Sequence, residues 1–188
     1  MSGHDETTEI IDGICFYGAK EVGKTNFAMK INQILSPGQI DEENIRVRKI
    51  IQNKPMVITG YHELDETSIK DENYEIIYEE SMKESRAFFL MFSLNDVNSF
   101  EIAKELYRDI CQFKGNEVFP VVLLGNKCDL EHKIFLEEIE NFCQDNDLSY
   151  FETSSLSGKN VDESFTYLIE NMIKYEKNSK LSDYCQLL

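Results

Sequence analysis

The chain has 188 residues, 41% of them hydrophobic and only three of them proline, with a formal net charge of −16. That composition describes one ordinary globular domain with enough apolar residues for a real core, and it argues against disorder. The charge argues against DNA or RNA as a partner, because no basic run offsets it locally. The five cysteines (Cys15, Cys111, Cys128, Cys143 and Cys185) show no C-x-x-C pairing, so reduced thiols in a cytosolic protein are expected, without metal ligation. The polar and acidic opening, residues 1–9, does not read as a signal peptide, and no apolar run approaches the length needed to span a bilayer.

In chain order, Ile10-Ile11-Asp12-Gly13-Ile14-Cys15-Phe16-Tyr17 is apolar and β-branched enough to be a strand. The stretch Gly18-Ala19-Lys20-Glu21-Val22-Gly23-Lys24-Thr25 follows, and then Phe27, Ile31, Ile34 and Leu35 recur at helical spacing. Ser36-Pro37-Gly38 breaks the period and opens an acidic loop. Residues 46–52 and 56–61, joined by Asn53-Lys54-Pro55, read as a hairpin. Residues 63–80 are acidic and weakly patterned, with one short helical possibility near Tyr74, Ile77 and Tyr78. The continuous apolar run Ala87-Phe88-Phe89-Leu90-Met91-Phe92 has the character of a buried parallel strand. Helical spacing at Phe100, Ala103, Leu106 and Ile110, a strand over 118–124, a helix over 134–143, a short strand over 148–151 and a last amphipathic helix through Phe165, Leu168, Ile169 and Met172 complete the chain. Strands alternating with helices predict an α/β fold, a doubly wound and mostly parallel six-stranded sheet flanked by helices. The expected division is an N-terminal extension over 1–9, one domain over 10–176 and a tail over 177–188.

Residues 18–25 form a complete G-x-x-x-x-G-K-T between a strand and a helix, the context in which that motif binds phosphate. The two glycines let the backbone approach a ligand, and successive N–H groups form an anion nest capped by the positive end of the helix. Lys24 would reach the β- and γ-phosphates and the Thr25 hydroxyl would ligate Mg²⁺; Gly18, Ala19, Lys20, Glu21, Val22, Gly23 and Asn26 complete the phosphate-binding set. A connector carrying a lysine and a threonine by chance would not have both flanks right.

A second motif, Asn126-Lys127-Cys128-Asp129, follows the fifth expected strand. The Asp129 carboxylate can accept from N1–H and the 2-amino group of guanine, whereas adenine would leave it facing an acceptor. An unpaired buried polar group of that kind gives discrimination of order 10⁴. Asn126 would tie the base to the phosphate loop, and the Lys127 stem would cover the ring or sugar. Downstream, Glu152-Thr153-Ser154-Ser155-Leu156 offers backbone N–H groups, chiefly at Ser155 and Leu156, to the guanine O6, with Ser154 beside them.

Together these stretches, with Phe89-Leu90-Met91-Phe92 and Val161-Asp162-Glu163-Ser164-Phe165, resemble the Ras superfamily of small GTPases over nearly the whole chain. The Ras branch is the nearest: the 129–154 interval is too short for the additional helix of Rho proteins, and the ending is not the double cysteine usual in Rab proteins. The resemblance implies a GTPase G domain that binds GTP or GDP with Mg²⁺, acts as a monomer, and signals through effector and regulator proteins. Cys185-Gln186-Leu187-Leu188 is similar to a C-a-a-X signal, which implies a lipid on Cys185 and reversible attachment to the cytoplasmic side of a membrane, with a cytosolic pool.

The chain departs from that family where the nucleotide state is sensed. No threonine lies between Asn26 and Ile58, where the first switch should supply one; Ser36 is the sole hydroxyl on the way. No glycine lies from Tyr61 to Lys114 and no glutamine from Asn53 to Cys111, so the γ-phosphate-sensing amide and the water-orienting side chain lack their usual residues. An ungapped register puts Thr67 where the Mg²⁺-side aspartate belongs, and Asp65, at the end of its strand, is the better candidate. His62, Glu63, Asp71 and Glu72 are the side chains at hand for orienting water, although carboxylates are repelled by a γ-phosphate. No residue is assigned to catalysis. The expectation is guanine-nucleotide binding with weak hydrolysis and blunted switching; the alternative is an interaction module that binds nucleotide without effective hydrolysis.

Overall fold

A strand buried on both faces is apolar at nearly every position, and Ala87–Ser93, apolar as far as Phe92, is the most continuous such run in the chain. It forms the centre of the computed structural model, which describes residues 9–35, 46–52, 54–59, 62–66, 75–115 and 117–186. The strands are β1 (Glu9–Ile11), β2 (Ile14–Gly18), β3 (Arg46–Ile51), β4 (Lys54–Thr59), β5 (His62–Leu64), β6 (Ala87–Ser93), β7 (Val121–Asn126) and β8 (Ser149–Glu152). The helices are α1 (Lys24–Leu35), α2 (Glu75–Glu84), α3 (Val97–Lys114), α4 (Leu136–Asn146) and α5 (Val161–Gln186).

Two hydrogen-bonded ladders result, β1-β4-β3 and β5-β2-β6-β7-β8, and every pairing is parallel except the β3–β4 hairpin. The first strand read from sequence is therefore interrupted. Gly13 has φ of +76°, and a Cβ there would lie 2.6 Å from the Glu84 carbonyl. Its own carbonyl accepts from the amides of Arg86 (2.7 Å) and Ala87 (3.2 Å), so the chain turns at Asp12-Gly13 before re-entering the sheet. The strand partnering it is likewise divided, into β4 and β5. Read through these two interruptions, the arrangement is the expected six-stranded, mostly parallel sheet.

Period-2 alternation sorts the core into two layers. Phe16, Phe89, Met91 and Leu124 face α1 and α5, where they meet Phe27, Ile31, Phe165 and Leu168. Cys15, Tyr17, Phe88, Leu90 and Leu123 face the opposite way, toward Tyr78, Phe100, Leu106 and Ile139 of α2, α3 and α4. The Phe16 ring lies 5.2 Å from Phe89 and 5.9 Å from Phe27, so the strand that leads into the glycine-rich loop is held by aromatic packing on the α1 side. Burial pushes the Cys15 thiol up to about 12 and the Cys143 thiol up to about 11, which keeps both protonated, and the four described cysteines are unpaired as expected. Among the described residues no helix is long and apolar enough to cross a membrane.

The weakly patterned acidic stretch does contain a helix, α2, and a buried polar contact fixes it. The Tyr17 hydroxyl donates to Asp109 Oδ2 at 2.8 Å, and the Tyr78 hydroxyl donates to the same oxygen. One carboxylate on α3 thus joins β2 to α2. Burial pushes the pKa of both phenols upward, so they act as donors throughout the physiological range. The last helix continues to Gln186, beyond the boundary expected at 176. The side chains past Lys177, with the Cys185 ending among them, lie outside the described residues, as do 36–45 and 67–74 with Ser36, Thr67, Asp71 and Glu72.

Replacing Asp109 with alanine leaves two buried hydroxyls without an acceptor, at about 1–3 kcal/mol each. Asp109→Ala is expected to lose about 3 kcal/mol in urea-monitored unfolding, while Tyr78→Phe loses less because Tyr17 retains its partner; equal, near-zero losses in both would rule the clamp out.

Candidate nucleotide site

The carboxyl ends of β2, β5, β7 and β8 point the same way because their pairings are parallel, and the loops that follow them converge at one end of the sheet. The residues singled out from sequence leave these ends: Gly18 closes β2, Asn126 closes β7 and Glu152 closes β8.

The glycine-rich loop has the backbone its motif requires. Gly18 passes so close to β6 that a Cβ would sit 2.2 Å from the Met91 carbonyl oxygen. Gly23 has φ of +99°, and a Cβ there would meet Asn126 Nδ2 at 2.6 Å. Glu21 adopts a φ of 62° although it is not glycine, a conformation that costs an L-residue about 1–2 kcal/mol. Strain of that kind persists where the surroundings impose it, commonly at a functional loop. Lys24, Thr25 and Asn26 form the first turn of α1, whose amides have no carbonyl partner within the helix and point into the loop.

Lys24 is buried, at 5% exposure. Its ammonium donates to the carbonyls of Gly18 (2.9 Å) and Ala19 (3.0 Å), folding the side chain back over the loop. Burial lowers its pKa from the ordinary lysine value, while the carboxylates of Glu63, Asp65 and Glu66 oppose that shift. The Thr25 hydroxyl stands 3.0 Å from both oxygens of Glu63. Sequence reasoning placed Asp65 at the metal side and Glu63 among the water-orienting candidates. The structure puts Glu63 on the threonine, and the β2–β5 register, Phe16 opposite Glu63, shows how that side chain reaches α1. Asp65 makes contacts of its own and acts on Lys24. A hydroxyl and carboxylates are hard oxygen donors of the kind Mg²⁺ takes, so Thr25 with Glu63 or Asp65 fits that ion. Among the described residues no group of three such side chains would hold a metal without a ligand's help.

The base-side loops are joined to the phosphate loop through one side chain. Asn126, 1% exposed, donates from Nδ2 to the Val22 carbonyl at 2.8 Å. Its Oδ1 accepts from Thr153 Oγ1 (3.2 Å), the Ser155 amide (3.1 Å) and Ser155 Oγ (3.2 Å). Lys127 takes a positive φ of 60°, turning the chain so that the Cys128 amide donates to the Thr153 carbonyl at 3.0 Å. Asp129 is exposed and accepts from the Ser154 hydroxyl through one oxygen, which orients the carboxylate. Ser154 is itself buried, and Leu156 stands 79% exposed beside it. The sequence-predicted residues of both motifs are therefore brought together. A cavity of about 490 Å³ opens at the opposite end of the sheet, among Tyr107, Val118, Asn146, Tyr167 and Lys174, and shares no residue with this site.

A glycine-bounded anion nest at the carboxyl end of a parallel sheet, tied to an Asn-Lys-x-Asp loop, defines the P-loop nucleotide-binding class. The Ras family model matches residues 14–174, and the chain belongs to the Ras family. It is 34% identical to Ras-related protein R-Ras of Rattus norvegicus over 108 residues, covering 56% of this chain and 50% of that protein. It is 35% identical to Ras-related protein R-Ras of Homo sapiens over 108 residues, covering 56% of this chain and 50% of that protein. With Ras-like protein 2 of Drosophila melanogaster it shares 34% over 107 residues, covering 56% of each. The chain thus spans about half the length of the curated relatives it matches.

Gly23 couples both constraints, positive φ and contact with Asn126. Gly23→Ala is expected to lose about 2 kcal/mol or more of stability together with nucleotide binding; thermal unfolding and equilibrium dialysis check it, and wild-type values in both would contradict the geometry.

Proposed function

We propose that this domain, over about residues 10–176, binds guanine nucleotide with Mg²⁺ as a Ras-like small GTPase whose hydrolysis is weak. The observation that carries the reading is the Asn126 side chain, which bonds the phosphate loop at Val22 and the Ser155 amide at once. Phosphate recognition by residues 18–26 and base recognition by Asn126, Lys127, Asp129, Ser154, Ser155 and Leu156 then share one rigid frame. Asp129 supplies guanine selectivity and Lys24 neutralises phosphate charge, which an anionic protein must provide locally. Effector and regulator proteins are its partners, and it works as a monomer.

The second reading, a module that holds guanine nucleotide without effective turnover, is favoured by the missing threonine, glycine and glutamine. Each would act on a different part of the same transition state. The threonine completes the Mg²⁺ shell, the glycine amide holds the γ-phosphate and the glutamine aligns water. Loss of one positioning or charge-stabilising group commonly costs about 2.7–4 kcal/mol in the barrier, and losses within one constellation do not simply add. Nucleotide content after gentle purification, read with single-turnover hydrolysis, separates the two readings. GDP with slow turnover indicates the enzyme, and GTP retained without turnover indicates the module. Asp129→Asn should weaken GDP and favour xanthine nucleotides, whose C2 oxygen needs a donor; unchanged GDP affinity would defeat the base assignment.

The reading extends to reversible attachment on the cytoplasmic face of a membrane through a lipid at Cys185. Cys185→Ser should then move the protein from the membrane to the soluble fraction, and equal membrane fractions would refute it.

A further inference from the structure

The phosphate loop has two distinguishable ends. Asn126 holds the Val22 carbonyl and so marks the base end. The Lys24 ammonium rests on the Gly18 and Ala19 carbonyls and marks the other, since a lysine in this motif serves the β- and γ-phosphates. Lys20 is the next residue along. Its amide N–H, one of the loop's donors, is already engaged: it donates to Glu66 Oε2 at 3.1 Å. Glu66 lies just past β5, and on that same strand Glu63 holds the Thr25 hydroxyl. Glu63, Asp65 and Glu66 all act electrostatically on Lys24, so the single buried ammonium of the loop is within the field of three carboxylates. They do not amount to a metal-holding cluster. They form a negative rim at one end of an anion site.

A γ-phosphate arriving at that end must displace the Glu66 oxygen from the Lys20 amide and place its own negative charge beside the rim. A diphosphate carries less charge to the rim and, served by Lys24 and the amides of the helix N-terminus, leaves the Glu66–Lys20 contact in place. We infer that Glu66, reinforced by Glu63, is a selectivity-determining carboxylate that makes the loop favour a nucleoside diphosphate over the corresponding triphosphate. The inference rests on the guanine-nucleotide reading above. It also implies that triphosphate binding depends more steeply on Mg²⁺ than diphosphate binding does, since a divalent cation offsets the rim's repulsion of the additional phosphate charge.

The test uses the full chain stripped of nucleotide, with competition fluorescence against GDP and against a non-hydrolysable GTP analogue at saturating Mg²⁺. The parent should bind GDP at least about tenfold more tightly. Glu66→Ala, which removes both acceptor and charge, should reduce that preference by about tenfold through tighter triphosphate binding. Glu66→Gln, which keeps the shape and an acceptor, should fall between. GDP affinity should stay within about twofold in both variants, with thermal unfolding as the control for folding. Equal affinities in the parent, an unchanged ratio in Glu66→Ala, or an equal loss of both nucleotides in that variant would each overturn the inference. Lys24→Ala, run in parallel, distinguishes the two levels: if it leaves GDP affinity intact, the nucleotide reading itself has failed, whereas if it abolishes binding while Glu66→Ala changes nothing, only the selectivity role falls.

Discussion

The structure depends on one buried amide. An asparagine side chain offers both donors and acceptor capacity, and a position 1% exposed cannot leave them unmet without cost. Asn126 meets the requirement by reaching two stretches far from it in sequence: the phosphate loop at Val22 and the 153–155 loop at Thr153 and Ser155. Its needs therefore specify where those loops lie relative to one another. The constraint also runs backward into sequence. Gly23 has no room for a Cβ because Asn126 Nδ2 occupies that space, so the second glycine of the motif answers to the amide as well as to its own φ. The two motifs are one packed unit rather than two sites that happen to be adjacent.

Charge is the second constraint. With a net charge of −16, the protein's overall field repels any phosphate, so binding must come from short-range donors in a small volume. The loop supplies amides and one buried ammonium, whose desolvation is partly offset by two backbone carbonyls. Those carbonyls hold the lysine in place at a buried site where an unpaired charge would be destabilising. Because the attraction is so local, a few carboxylates on or just past one neighbouring strand can weigh on the site's balance. Glu63, Asp65 and Glu66 are close enough to act on Lys24, as three surface acids elsewhere would not be.

Much of this was legible before the structure, and what was not has a common cause. The apolar run of β6 and the helical spacing of Phe100, Ala103, Leu106 and Ile110 determine their own conformation, and both elements stand where periodicity put them. The two motifs expected to bind nucleotide are short, self-contained loops, so their residues and spacing are readable without any long-range pairing. The break at Gly13 had a local signal in Asp12-Gly13, but eight consecutive strand-like residues outweighed it. Pairings across the chain gave no such signal. That Glu63 reaches Thr25 follows from the β2–β5 register, and that Tyr17 and Tyr78 both meet Asp109 follows from packing across 92 and 31 residues of sequence. In the weakly periodic segment before β6 the helix is stabilised mainly by tertiary burial of Tyr78 and Met82, and propensity alone could not define its ends.

These features separate holding a nucleotide from responding to it. The holding elements are continuous with the core: β2 is packed by Phe89 and Phe27 through Phe16, and Asn126 and Thr153 are buried. A response would have to be carried by elements free to adopt two arrangements of similar energy. Helix α2 is poorly suited to that, since shifting it would break the hydroxyl–carboxylate contact that ties Tyr78 to Asp109 and disturb an oxygen that Tyr17 also uses. A ligand shifts an equilibrium only by its differential affinity for the two states. On the proposed reading, a sequence without the threonine and glycine that would feel a γ-phosphate has little to make that differential large, and the α2 contact opposes movement. The weak switching proposed for this domain thus follows from where the chain has kept, and where it has replaced, its polar side chains.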